Sequence, residues 1–246
     1  MAGMKMLLVN PNTSAAMTAQ IRIAAREVAA AGTMLTAVNP GFGPESIEGH
    51  YDEAVAAAGV AQVLREQPPH DAVVLACFGD PGLDAAREAC AAPVLGIAEA
   101  AFHAASFVAT GFSVVTTMTR TCIIAERLVQ RYGFERACRG IHGTDIAVLE
   151  LDDPASDAFD RIEAASRQAL ERDRSGAIVL GCAGMTTLAR RLQQRLQVPV
   201  IDGVGVAVKF AEALVALSLG TSKRGDYATP LPKRYSGWAA PLGWPG

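Results

Sequence analysis

The stretch AVVLACFGDPGL at residues 72–83 recurs as AIVLGCAGMTTL at residues 177–188, 105 positions further along the chain. Each copy is an apolar run, typical of a buried parallel strand, followed by a Cys and a turn that contains Gly. A repeat this long indicates a duplicated α/β lobe and not a solenoid. Two more pairs recur in the same order: LLVNPNTS (7–14) with SVVTTMTR (113–120), and APVLGIAEA (92–100) with VPVIDGVGV (198–206).

Short apolar runs alternate with helical patterns along the chain, which predicts parallel sheets with helices on both faces. The pattern places one strand near residues 146–149. Asp80 and Pro81 predict an N-cap followed by Pro at the first position of a helix. We expect one lobe from residues 4–110 and roughly 205–220, a second from 111–204, and a Pro-rich tail at 221–246.

Composition excludes several classes of protein. Half of the 246 residues are hydrophobic and 19% are charged, which is incompatible with disorder over most of the chain. Lys and Arg number 22 against 25 acidic residues, so nucleic acid is not an expected partner. Five scattered cysteines argue against a disulfide framework. The first apolar run is too short for a signal or a membrane span, so we expect a cytoplasmic protein with no membrane partner.

Cys77 and Cys182 occupy the same position in the two repeats, each after a buried strand. A pseudo-twofold arrangement of the lobes would bring the loops at the carboxyl ends of these strands together across a cleft. A helix start would favour the thiolate form of each Cys. Two buried structural thiols are the alternative. No CxxC spacing supports a redox pair, and no His or acidic residue accompanies both thiols to form a metal site.

A facing pair of thiols fits two-base chemistry, in which one removes a proton from carbon and the other returns one to the opposite face. Such a reaction inverts stereochemistry without a cofactor. Backbone N–H groups near the same helix starts would stabilise the enolate oxygen.

Eight stretches of the chain match one known family: VNPNTS (9–14), SIEGHYDEA (46–54), ACFGDPGL (76–83), GIAEAAFH (96–103), FSVVTTMTR (112–120), IVLGCAGM (178–185), VPVIDG (198–203) and TSKRGDY (221–227). Through them the sequence resembles the aspartate/glutamate racemase superfamily, and its hydantoin and allantoin racemases in particular. The resemblance implies two flavodoxin-like lobes and a cofactor-independent racemase, an isomerase in which Cys77 and Cys182 are the acid/base thiols. The presence of both thiols disfavours the related decarboxylases, which keep one. Such families also commonly form even-numbered homo-oligomers.

Several residues are candidates for substrate contact. The resemblance implies Asn10, Thr116 and Thr117; capping a turn is the alternative for Asn10, and ending a strand is the alternative for the two Thr. His50 is expected to anchor its loop. Asp80 is expected to cap a helix and not to act as a base. The complete set of expected substrate-binding residues is Asn10, Phe42, Gly43, Ile47, Phe78, Gly79, Thr116, Thr117, Gly181, Ala183 and Gly184.

The sequence therefore predicts racemisation of 5-substituted hydantoins, with allantoin in that class, and neither a metal nor an organic cofactor. Four loops follow strand ends in the two lobes, at 10–14, 77–81, 116–120 and 181–184. They carry only Asp80 and Arg120 as charged residues, which suits a neutral ring better than an amino acid. An aspartate or glutamate racemase is the alternative within the same class of enzyme. A non-catalytic protein that binds a small ligand is the alternative from a different class.

Overall fold

Two parallel four-stranded sheets form the frame of the protein. The structure is a computed structural model and describes residues 3–152 and 156–244. The strand orders are β2-β1-β3-β4 and β6-β5-β7-β8, with every pair parallel. The predicted α/β class with two similar lobes is confirmed. The strands are β1 Lys5–Val9, β2 Met34–Val38, β3 Ala72–Leu75, β4 Val94–Gly96, β5 Phe112–Thr116, β6 Cys138–Gly143, β7 Ala177–Leu180 and β8 Val200–Ile201.

Helices connect the strands and cover both sheets. Two of them show clear N-caps: Ser14 accepts from the N–H of Met17 ahead of the first helix, and Asp202 accepts from two N–H groups of the last. Short 3₁₀ helices lie at Thr119–Thr121, Val148–Asp152, Ala183–Leu188, Gly225–Tyr227 and Gly237–Leu242. The α-helices are α1 Ala15–Val28, α2 His50–Glu66, α3 Leu83–Ala89, α4 Ile97–Val108, α5 Cys122–Arg131, α6 Ala158–Asp173, α7 Ala189–Leu196 and α8 Gly203–Ala216.

The register of the sheets makes the repeat exact at the strand ends. Val9 pairs with Leu75 in the first sheet, and Val115 pairs with Leu180 in the second. Cys77 and Cys182 each lie two residues beyond those paired Leu residues. The repeat therefore places the two thiols at equivalent positions, at the carboxyl ends of central strands.

Helix α8 returns from the second sheet to the first lobe. Its Val204 and Val208 are fully buried in one hydrophobic cluster with Met6 and Leu8 of β1. Helix α4 lies between the lobes, since Phe102 packs in the same cluster as Phe112 of β5. These apolar contacts join the two sheets and hold their carboxyl ends in place.

One strand prediction is wrong. Residues 148–152 form a 3₁₀ helix, and the edge strand of the second sheet is Cys138–Gly143 instead. This strand has the sequence CRGIHG and lies half-buried at the edge, so it lacks the continuous apolar run that marks β3 and β7. An edge strand with one partner tolerates such a polar sequence.

The Pro-rich tail packs along the first lobe. Thr221 donates to the carbonyl of Ala92 at 2.7 Å, and the Tyr227 hydroxyl donates to Asp84 at 3.0 Å. Further along, the Trp238 ring meets the edge of Phe42 at 5.5 Å between centroids. Residues 245 and 246 lie outside the described part. Within residues 3–152 and 156–244, no helix has the length and apolar character needed to cross a membrane.

Candidate active site

A cavity opens where the carboxyl ends of the two sheets meet. It holds about 570 Å³ of empty space, its opening to solvent included. Residues from both lobes line it, and Cys77 and Cys182 are both among them. The complete lining is Asn12, Met17, Ile47, Glu53, Ala76, Cys77, Phe78, Gly79, Thr116, Thr117, Thr121, Ile124, Ala125, Val148, Gly181, Cys182 and Ala183.

Most of the residues expected at the site reach this cavity. Besides the two thiols, the structure brings together Ile47, Phe78, Gly79, Thr116, Thr117, Gly181 and Ala183. It does not bring Asn10, Phe42, Gly43 or Gly184 to the cavity wall.

The side chain of Asn10 stabilises the loop that follows β1 through hydrogen bonds. Its side chain is buried, and its amide N–H groups donate to Asn12 Oδ1 at 2.7 Å and to Thr18 Oγ1 at 3.0 Å. These bonds use the amide within the protein, as the turn-capping alternative requires. Asn12, two residues on, occupies the cavity wall instead. The NPNT stretch could have pointed to it, because both Asn residues belong to the same turn.

Phe42, Gly43 and Gly184 have other surroundings. Phe42 packs against Trp238 of the tail. Gly43 has a φ of 127°, which favours glycine there for its backbone conformation. A Cβ on Gly184 would lie 2.9 Å from Leu151 Cδ1 and 3.6 Å from the Cys182 sulfur. Gly184 therefore leaves space for a neighbouring side chain.

The Cys77 thiol is held in its protonated form. Burial raises its pKa well above the usual value for Cys, and the nearby Cys182, Asp80 and Glu53 raise it further. A backbone hydrogen bond from Gly79 opposes this effect. The expectation that a helix start stabilises the Cys77 thiolate is wrong. Helix α3 begins only at Leu83, and desolvation outweighs the one hydrogen bond.

Cys182 has a different backbone setting. It is the N-cap residue of the 3₁₀ helix Ala183–Leu188, and its carbonyl accepts from the N–H of Met185. Just before it, Gly181 accepts from the Thr116 hydroxyl at 2.9 Å. A Cβ on Gly181 would lie 2.6 Å from the Thr116 Cβ, so only glycine fits there. This contact sets the spacing between the ends of β5 and β7 beside the thiol.

Asp80 caps a helix, although not the one expected. It has a left-handed φ of 44°, and its carboxylate accepts from the N–H groups of Ala98 and Glu99 at the start of α4. Gly96 leaves room for it, since a Cβ there would lie 2.3 Å from the carboxyl carbon. Burial raises the pKa of Asp80 to about 6, against the lowering effect of its hydrogen bonds. The loop that carries Cys77 is thereby fixed to α4.

Sequence reasoning missed Glu53, which lines the cavity from the first turn of α2. Among the described lining residues, it is the only one with a charged side chain. Its Oε2 lies 3.0 Å from His50 Nδ1. The SIEGHYDEA stretch at 46–54 contains both residues and was the available signal, although it lies outside the loops that follow the strands.

The remaining wall is mostly apolar and comes from helices that carry no motif. Met17 of α1, Ile124 and Ala125 of α5, and Val148 complete it, together with the Thr121 hydroxyl. Single apolar residues on amphipathic helices give no signal for a binding site. Across residues 3–152 and 156–244, no group of three or more His, Cys, Asp and Glu side chains is arranged to hold a metal ion.

Comparisons with known proteins agree on one family. The sequence profile described as Asp/Glu/Hydantoin racemase matches residues 6–211. A hydantoin racemase of Rhizobium meliloti is 45% identical over 232 residues, covering 94% of this chain and 96% of the relative. One from Paenarthrobacter aurescens is 43% identical over 236 residues, covering 94% and 100%. The structure of an allantoin racemase from Klebsiella pneumoniae superposes with a TM-score of 0.95 at 53% identity, covering 98% and 99%.

Proposed function

Because this chain belongs to the Asp/Glu/hydantoin racemase family, we propose that it racemises 5-substituted hydantoins, allantoin among them, with Cys77 and Cys182 as acid and base. One observation carries the proposal: both thiols line a single cavity, at equivalent ends of central strands from two similar lobes.

The proposed reaction exchanges one proton at C5. The thiolate of one Cys takes the C5 proton, and the C–H electron pair moves into the ring as an enolate on the adjacent carbonyl oxygen. The thiol of the other Cys then gives its proton to the opposite face of C5. The product is the other enantiomer, and the two sulfurs have exchanged protonation states. Atoms and charges balance without a cofactor.

Repulsion between two buried anions supports one thiolate and one thiol at a time. Because burial raises the pKa of Cys77, this residue is the proton donor of the resting protein in our proposal. Cys182, at the start of a 3₁₀ helix, begins as the base.

Backbone N–H groups are available for the enolate oxygen. The turn after Cys77 uses the N–H of Asp80, and the turn after Cys182 uses that of Met185. The first N–H groups of the two turns belong to Phe78 and Ala183, the residues that directly follow the thiols. Both residues line the cavity, where such donors stabilise a developing negative charge.

The lining of the cavity favours a hydantoin over an amino acid as the substrate. Among its described lining residues there is no cationic side chain, which an amino-acid carboxylate would need as a partner. Glu53, the one carboxylate among these lining residues, would repel that carboxylate. An aspartate or glutamate racemase is therefore the weaker alternative, and a non-catalytic binding protein leaves the paired thiols unexplained. A cytoplasmic location and an even-numbered homo-oligomer stay predictions.

Deuterium incorporation tests the proposal directly. Enantiopure allantoin and 5-alkyl hydantoins are incubated in D₂O with protein dialysed against a chelator, and without protein as the control. We expect loss of optical rotation together with exchange at C5, well above the spontaneous rate. Activity restored only by added metal would overturn the two-thiol mechanism, and faster racemisation of aspartate would move the protein to the amino-acid branch.

A further inference from the structure

Glu53 stands apart from the rest of the cavity, because its side chain is the only carboxylate among the described lining residues. Its side chain is largely shielded, with 19% of its surface exposed. The two-thiol chemistry does not require a third acid. A shielded carboxylate needs hydrogen-bond partners to offset its loss of water, and its charge acts on any ligand in the cavity.

A hydrogen-bonded chain holds this carboxylate. Arg127 NH1 lies 3.3 Å from His50 Nε2, and His50 Nδ1 lies 3.0 Å from Glu53 Oε2. A guanidinium can only donate, so Nε2 accepts and the His50 proton sits on Nδ1, where it points at Glu53. Glu53 is therefore linked to Arg127 through the imidazole of His50.

The second carboxylate oxygen faces the thiol loop. Glu53 Oε1 lies 2.5 Å from the position that a Cβ on Gly79 would take, so the oxygen lies directly over the Gly79 backbone. Gly79 also lines the cavity and donates to Cys77. The negative charge is thus close to the place where substrate meets Cys77, in a partly desolvated wall where charge interactions are strong.

We propose that Glu53 sets the charge specificity of the cavity, admitting hydantoins with a neutral C5 substituent and excluding those with an anionic one. This inference rests on the proposed function and narrows its substrate class. An anionic arm would meet Glu53 with no cation among the described lining residues to offset the repulsion. A neutral arm such as an amide, an alkyl group or a ureido group meets no such barrier, and N–H donors can bond the carboxylate.

A matched pair of substrates isolates charge from shape. The probes are enantiopure 5-(2-carbamoylethyl)hydantoin and 5-(2-carboxyethyl)hydantoin, which differ by an amide against a carboxylate. The measured quantity is the ratio of their kcat/KM values. We expect wild type to favour the amide, and Glu53→Gln to reduce that ratio by about tenfold or more.

Two further variants separate the effect of a charge at the cavity from that of a charge elsewhere on the helix and from that of a changed side chain. Glu66→Gln removes the same charge from the exposed end of the same helix and should leave the ratio unchanged. Glu53→Asp keeps the charge and should keep the preference for the amide. Because the ratio compares two substrates on one protein, a general loss of activity in a variant does not alter it.

The outcomes distinguish this inference from the proposed function. If wild type racemises both probes equally, or if Glu53→Gln leaves the ratio unchanged, the role of Glu53 is wrong while hydantoin racemisation stands. If wild type racemises neither probe nor allantoin, the proposed function fails. Calorimetric Kd values for the same two probes then still test charge selection, and equal values would refute it.

Discussion

The Tyr132 hydroxyl donates a hydrogen bond to Asp80 Oδ2 at 2.8 Å and so joins the two lobes beside the candidate site. Tyr132 follows α5 of the second lobe, and Asp80 lies three residues after Cys77 in the first. The same carboxylate caps α4. One buried acid therefore fixes the Cys77 loop to two helices, and the position of this thiol depends on both.

Removing that hydroxyl tests the link between the lobes. Tyr132→Phe leaves a buried carboxylate with one donor fewer, so we expect a loss of about 1–3 kcal/mol in the free energy of unfolding. Urea denaturation measures it. Tyr51→Phe is the control, because Tyr51 is largely exposed on α2 and should change nothing. Equal stability of the two variants would contradict the role given to Tyr132.

Asp80 should also make stability depend on pH. Burial raises its pKa from 3.8 to about 6, so the carboxyl group binds its proton more tightly in the folded state than in the unfolded state. This contribution to the free energy of unfolding is fully present below the pKa of the unfolded state. It is lost as pH rises through the pKa of the folded state. The advantage of wild type over Asp80→Asn should thus fall by about 3 kcal/mol between about pH 4 and pH 7.

Urea unfolding of both proteins across this range measures the effect. Asp226→Asn, at an exposed position in the tail, should show a difference from wild type that is constant with pH. A constant difference for Asp80→Asn as well would show that the carboxyl group titrates normally.

The two thiols should both be essential. We expect Cys77→Ser and Cys182→Ser each to reduce racemisation by several orders of magnitude, because a serine hydroxyl is far too weak an acid to replace a thiol. Each variant should still exchange the C5 proton of one enantiomer, and the two should prefer opposite enantiomers. Polarimetry and NMR in D₂O follow both processes. Cys122→Ser, away from the cavity wall, is the control, and near-normal racemisation by either cavity variant would exclude that residue from the pair.

Cys77 should react slowly with alkylating agents at neutral pH. Because its pKa is raised by burial and by neighbours that include Glu53, little thiolate is present. The rate of modification by iodoacetamide should rise with pH without a plateau near neutrality, and Glu53→Gln should increase it. Peptide mass spectrometry identifies the modified Cys. A plateau near pH 7 would show that the thiolate is stabilised instead.

Gly181 should not tolerate a side chain. In Gly181→Ala the new Cβ would meet the Thr116 Cβ at 2.6 Å and its hydroxyl at 2.8 Å, which forces apart the ends of β5 and β7. We expect a destabilisation of about 1–3 kcal/mol, with a larger proportional loss of activity because Cys182 moves. Gly32→Ala, where a Cβ would meet no atom within 4 Å, is the matched control. Unchanged activity in Gly181→Ala would mean that this spacing does not position the thiol.

Short-range patterns were enough to predict the architecture. The apolar runs at 72–75 and 177–180 become fully buried central strands, as a parallel sheet covered on both faces requires. Their repetition 105 residues apart predicted two similar lobes and the equivalence of Cys77 and Cys182. These features depend on residues adjacent in sequence, or on the comparison of one half with the other. The polar edge strand 138–143 lacks such a pattern and was missed.

Tertiary structure decided the environment of the site. Asp80 caps a helix that begins 17 residues later, and Glu53 reaches the cavity from a helix outside the strand-end loops. The high pKa of Cys77 comes from everything that excludes water around it, which no spacing of residues records. The sequence by itself determined which groups stand at the strand ends. Their protonation and neighbours depend on desolvation and on contacts between distant segments, which exist only once the lobes are packed.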